Sequence, residues 1–102
     1  MATRRRVVWS HLARRTLDEI LEYIAQDSPE AAAELLANAL DHTGSLATLA
    51  DRGRAVPEMG VSNVRELFIH RYRMLYQVHD DTVVVLAVIH GARDFERWRR
   101  RR

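Results

Sequence analysis

Three arginines stand where strands should begin or end. Arg65 lies near the start of an extended stretch from Val64, Arg73 opens another from Tyr72 to Val78, and Arg93 follows a third in His90-Gly91-Ala92-Arg93-Asp94. Neighbouring strands run ~5 Å apart, so three arginines at successive strand margins can line one concave patch. Glu58 sits on the loop beside them. An arginine guanidinium is a planar fork of donors with a permanent charge, which suits it to phosphate. The plainer alternative is that each arginine pairs with a nearby acid, Arg65 with Glu58 and Arg93 with Asp94, and decorates the surface. Other chemistries lack their residues. There is no cysteine, which excludes disulfides and thiolate-held zinc. The histidines, His11, His42, His70, His79 and His90, include no pair at i,i+4 with a carboxylate partner of the kind metal-binding helices use. No glycine-rich phosphate loop, serine nucleophile elbow or other cofactor motif occurs, so no cofactor is expected.

The elements that must position these arginines are legible in the periodicity. Val7-Val8-Trp9 is β-prone, and Ser10 offers a helix N-cap. Leu17, Ile20, Leu21 and Ile24 recur at helical spacing, with Arg14, Arg15, Asp18, Glu19 and Glu22 facing away. Ser28-Pro29-Glu30 starts a second helix with cap, first-position proline and an acid at the positive dipole end. Its apolar stripe is Ala32, Leu35, Leu36, Ala39 and Leu40, continuing through Leu46 and Leu49, with Gly44 a candidate kink. A helical hairpin results. A loop from Asp51 to Asn63 follows, punctuated by Gly53, Pro57 and Gly60. Three strands come next: Val64 to His70, Tyr72 to Val78 with period-two alternation, and Thr82 to His90 after the turn His79-Asp80-Asp81. The last strand is apolar on both faces and is expected inside the sheet. The expected fold is α+β in the order β-α-α-β-β-β, a helical hairpin on one face of a curved, mostly antiparallel sheet. A charged tail from Asp94 can close as a short C-terminal helix. The other face of the sheet is expected to stay partly open, with Arg73 pointing towards it.

Length and composition set the outer limits. The chain has 102 residues and a hydrophobic fraction of 47%, enough for one folded domain spanning 1–102. The apolar runs after Arg4-Arg5-Arg6 and from Val83 to Ile89 are too short for an export signal or a membrane span. A cytoplasmic protein without a membrane partner is expected. The net charge is only +2, yet all 16 basic residues are arginine. A GC-rich genome accounts for that choice but not for the clusters at 4–6 and 97–102, which suit polyanions or acidic partners.

Six motifs in order carry a resemblance. They are Val8-Trp9-Ser10 leading into a helix; Ile24-Ala25-Gln26-Asp27-Ser28-Pro29-Glu30-Ala31-Ala32; Gly53-Arg54-Ala55-Val56-Pro57-Glu58; Val64-Arg65-Glu66-Leu67; Tyr72-Arg73-Met74-Leu75-Tyr76-Gln77-Val78; and His90-Gly91-Ala92-Arg93-Asp94. As far as Trp98 the chain resembles the RelE/ParE superfamily of bacterial toxins from type II, plasmid-stabilisation-type toxin–antitoxin modules. The resemblance implies a cognate antitoxin whose C-terminal segment, disordered when free, folds along the toxin. The expected antitoxin track runs beside the hairpin helices and over the open sheet face, where Arg65 and Arg73 would meet acidic residues of the partner. It also implies one of two activities.

RelE-like members cut mRNA in the ribosomal A site, and ParE-like members poison DNA gyrase without chemistry of their own. The nuclease is the expected activity, the gyrase poison the alternative, and a non-toxic binding module a third reading. Cleavage needs a base for the 2′-OH, cations for the growing phosphate charge and an acid for the leaving oxygen. By resemblance Glu58 is the base, Arg73 and Arg93 stabilise the phosphate with Arg65 beside them, and His90 is the acid. No metal is called for. Three departures stand out. RelE's lysine pair is reduced to Arg65 beside Glu66, and Trp98 or Arg99 stands where a late catalytic tyrosine is expected. His90 is also offset by one residue, which on a strand turns it to the opposite face.

Overall fold

The computed structural model describes residues 4–56, 59 and 63–101, with the backbone alone at 91–93 and 101. Strand β1 (Arg6–Trp9) leads straight into helix α1 (His11–Ala25). Ser10 makes the switch: its backbone is extended and its hydroxyl accepts the Ala13 N–H at 3.0 Å. Ser28 does the same for helix α2 (Pro29–Ser45), accepting from Ala31 N–H at 3.1 Å, with Pro29 and Glu30 filling the first turn. Ala13 and Leu17 of α1 and Ala32, Leu35 and Ala39 of α2 are buried. The stripe of α2 is narrower than its leucines suggest, because Leu36 and Leu40 stay on the solvent side. The helix also ends sooner. Gly44 lies in its last turn, Leu46 drops into the core, and Leu49 is exposed.

Strands β2 (Arg54–Ala55), β3 (Val64–Ile69), β4 (Tyr72–Val78) and β5 (Thr82–Ile89) complete a five-stranded sheet in the order β1-β5-β4-β3-β2. Among the described strands only β1 and β5 pair in parallel. The stretch expected as plain loop therefore contains a short edge strand, β2, preceded by a 3-10 turn over Ala50–Arg52. β5 lies between β1 and β4, and Val83, Val85 and Ala87 have no exposed surface. β1 stops at Trp9 while β5 continues, so side chains satisfy the remaining edge. The Ser10 hydroxyl donates to Leu86 O at 3.1 Å, and Val88 N–H donates to the Thr16 hydroxyl at 3.3 Å. The link between β3 and β4 is two residues, His70 and Arg71. His70 adopts φ 56°, a left-handed conformation that glycine or asparagine fills more easily, and its ring meets Asn38 of α2 at 3.0 Å.

The hairpin packs on one face of the sheet, over Ile69, Met74, Tyr76, Val83 and Val85. The opposite face, expected to be partly open, is covered by helix α3 (Gly91–Arg101). Phe95 and Trp98, at i and i+3, are buried against Val64, Leu75, Ala87 and Ile89 while Arg97, Arg99 and Arg100 stay outside. Two aromatic side chains are enough to seat an otherwise charged helix. No described helix is long and apolar enough to cross a membrane.

Candidate functional site

The short β3–β4 link fixes which side chains meet. It pairs Phe68 with Arg73 and Glu66 with Leu75. Side chains alternate along a strand, so Glu66, Phe68, Arg73 and Leu75 share the α3 face, whereas Arg65, Tyr72, Met74 and Tyr76 share the hairpin face. Arg65 and Arg73 thus project from opposite sides of the sheet, and the single concave patch expected of them is not formed.

On the α3 face a carboxylate gathers the cations. Glu66 is 1% exposed. Its Oε1 accepts from Arg73 Nε at 2.9 Å and from Nη2, and its Oε2 accepts from Arg54 Nε at 2.5 Å. The Arg73 guanidinium lies over the Phe95 ring, 4.8 Å from its centroid, and that of Arg54 lies over Phe68 at 5.3 Å. The Arg73 side chain is 11% exposed, against 63% for Arg54. A carboxylate taken out of water needs such partners, and the aromatic faces add cation–π attraction. Arg73 is fixed in place with its fork turned onto Glu66. Sequence reasoning read Glu66 only as a departure from the lysine pair. Its role follows from the two-residue link, which sets the register that puts Arg73 diagonal to it.

Arg65 is engaged elsewhere. Its Nη1 donates to Gly53 O at 2.7 Å, and its Nε is 3.7 Å from the Asp51 carboxylate. The same turn is held by Tyr76, whose hydroxyl donates to Ala50 O at 2.8 Å and accepts from Gly53 N–H at 2.9 Å. Burial pushes the Tyr76 phenol above its usual pKa, with the Gly53 N–H pulling the other way. Only glycine fits at 53, because a Cβ there would come within 2.5 Å of the Tyr76 oxygen and 2.6 Å of Glu66 O. Tyr76 and Arg65 together pin the turn from which β2 brings Arg54 to Glu66.

His90 lies apart from this cluster. It is exposed, its ring sits 5.1 Å from that of Tyr72, and its N–H donates to Asp94 Oδ2 at 3.2 Å. Ile89, one residue earlier, is the register partner of Arg73. The one-residue offset thus sends His90 to the Tyr72 side, away from Arg73. Glu58 lies outside the described residues. Arg93 belongs to the first turn of α3, and its side chain also lies outside them. Among the described residues no group of three or more His, Asp or Glu side chains could hold a metal ion.

The family model for the ParE toxin of the type II toxin–antitoxin system parDE matches residues 7–95. The chain belongs to the ParE toxin family. That ParE match runs from β1 to Phe95, and so takes in every strand and the residue that covers Arg73. Solved structures agree on the RelE/ParE fold. A chain of the chromosomal ParDE toxin–antitoxin system from P. aeruginosa superposes with a TM-score of 0.69 at 21% identity, covering 86% of this chain and 97% of its own. The RelBE2 toxin–antitoxin complex from Mycobacterium tuberculosis gives 0.56 at 25% identity, covering 88% and 94%. The YoeB dimer from Staphylococcus aureus gives 0.51 at 16% identity, covering 88% and 100%. No curated protein matches by sequence.

Proposed function

We propose that this ParE-family toxin acts by binding its target, as a poison of DNA gyrase, and not by cutting RNA. The observation that carries the reading is the separation of two of the expected catalytic residues, Arg73 and His90. Arg73 is enclosed and held by Glu66 under Phe95, while His90 stands beside Tyr72 on the other side of the sheet. A scissile phosphate needs its cation and its acid on the same side, within hydrogen-bond reach. To use Arg73 it would also have to displace a buried carboxylate. The ParE match over most of the chain points the same way.

A cognate antitoxin is part of the proposal. Leu36 and Leu40 are 37% and 54% exposed one turn apart on α2, an apolar strip that a folding antitoxin segment would cover. Arg65 is 28% exposed, so an acidic partner would compete with Asp51 for it; Arg73, at 11%, is more enclosed.

Expressing the chain without its antitoxin tests the reading. SOS induction with DNA-linked gyrase, and toxicity that survives Glu58→Gln, are the expected outcomes. Ribosome-linked mRNA fragments that vanish with Glu58→Gln would establish the nuclease instead. Normal growth would leave neither activity standing.

A further inference from the structure

Between α1, the β3–β4 link and α3 runs a groove of about 580 Å³ that shares no lining residue with the Glu66 cluster. Three elements each bring one arginine to it: Arg15 from α1, Arg71 from the link and Arg97 from α3. Two carboxylates also line it, and both are engaged. Glu19 lies 4.0 Å from Arg15, and Asp94 accepts the His90 N–H. Arg71 and Arg97 are exposed and have no hydrogen-bond or ion-pair partner among the described residues. Two guanidinium forks therefore line the groove without a carboxylate in direct contact among the described residues.

Aromatic faces accompany them. Tyr23 stands at the wall with 72% of its surface exposed, and the Tyr72–His90 pair lies alongside. Ile20 and Val88 add apolar floor. The volume is that of a site for a nucleotide-sized ligand. The space does not end there. A second hollow of about 340 Å³, towards α2, shares Tyr23, Arg71 and Tyr72 with the first and adds His70 and one carboxylate, Glu34. The groove thus continues past the length of one small molecule, as a track for a chain would.

We propose that this groove binds single-stranded nucleic acid, with Arg71 and Arg97 on phosphates and Tyr23 and the Tyr72–His90 pair stacking on bases. Unpaired arginines interleaved with open aromatic faces are the combination that such strands use, stacking being indifferent to sequence. An acidic peptide would answer the arginines but gives no reason for the aromatic faces beside them. The inference stands independently of the gyrase reading, since it concerns a contact the chain makes alone.

Anisotropy titrations of a short labelled oligonucleotide, as DNA and as RNA, with the full-length chain at several salt concentrations test it. Saturable binding is expected to either polymer. Arg71→Gln combined with Arg97→Gln should weaken it at least roughly tenfold and reduce the salt slope by about 1.4, the value for two single-strand phosphates. Tyr23→Ala should also weaken binding roughly tenfold, with the salt slope unchanged. Arg6→Gln with Arg14→Gln removes the same charge outside the groove and should cost clearly less. Thermal melting confirms that each variant folds, since Arg71, Arg97 and Tyr23 are exposed. Equal losses from the two arginine pairs would reduce the effect to diffuse attraction and overturn the proposal. So would the absence of saturable binding, or a nucleoside monophosphate that binds as tightly as the oligonucleotide. An acidic peptide whose binding, unlike the oligonucleotide's, needs Arg71 and Arg97 would reassign the groove to a protein partner.

Discussion

Glu66 holds two arginines from inside the protein, and its removal takes from the enclosed Arg73 guanidinium the paired carboxylate that Glu66 supplies. Glu66→Ala should lower stability by about 3–5 kcal/mol, the usual cost of breaking a buried pair from one side, as read in a denaturant titration. A change below 1 kcal/mol would mean that Arg73 does not depend on it. Tyr76 makes a second test at this scale. Tyr76→Phe orphans Gly53 N–H and Ala50 O and should cost about 1–3 kcal/mol. The pH dependence has a definite sign. Burial raises the folded-state pKa above the unfolded value of 10.0, so the folded form holds its proton longer. The associated stability is complete below pH 10 and is lost as pH rises through the folded-state value. Tyr76→Phe should flatten that alkaline decline in melts taken on either side of pH 10, and an unchanged decline would assign it to other groups.

At the scale of elements, α3 decides what the toxin shows to its surroundings. Its hold on the sheet comes from Phe95 and Trp98, since its other described side chains are at least partly exposed. Phe95→Ala should therefore cost about 3–5 kcal/mol, whereas Arg100→Gln should stay within about 0.5 kcal/mol, both measured by thermal melting. Equal effects would mean that the helix does not pack as described. Most elements were legible in the chain. Ser10 and Ser28 announced both helices by their capping chemistry, and the alternation from Tyr72 to Val78 marked β4 with its observed bounds. Two features were not legible, for reasons of scale. β2 is two residues long and is held by its pairing with β3, which leaves no periodic signal. The seating of α3 rests on an aromatic pair within an arginine-rich tail, so local composition suggests a solvated end while tertiary packing buries it.

At the scale of the whole molecule, the sheet separates groups that lie close in sequence. Arg65 and Glu66 are neighbours in the chain yet serve opposite faces, one pinning the Ala50–Gly53 turn and the other anchoring Arg73 beneath α3. The candidate site was read as one patch because strand margins are near one another in space, but face is set by register. Register depends here on a two-residue link whose first residue, His70, is an unusual choice for a left-handed position. With the sheet covered on both sides, the outer strip of α2 and the groove beside α1 are surfaces left for partners among the described residues. On the proposed reading such a molecule works by occupying another protein. The most direct measurement mixes the purified toxin with DNA gyrase, ATP and supercoiled plasmid and traps cleaved DNA with detergent and protease. The account predicts that gyrase-linked linear DNA accumulates with toxin dose and that mRNA on programmed ribosomes stays intact. Cut mRNA with no trapped gyrase complex would contradict it.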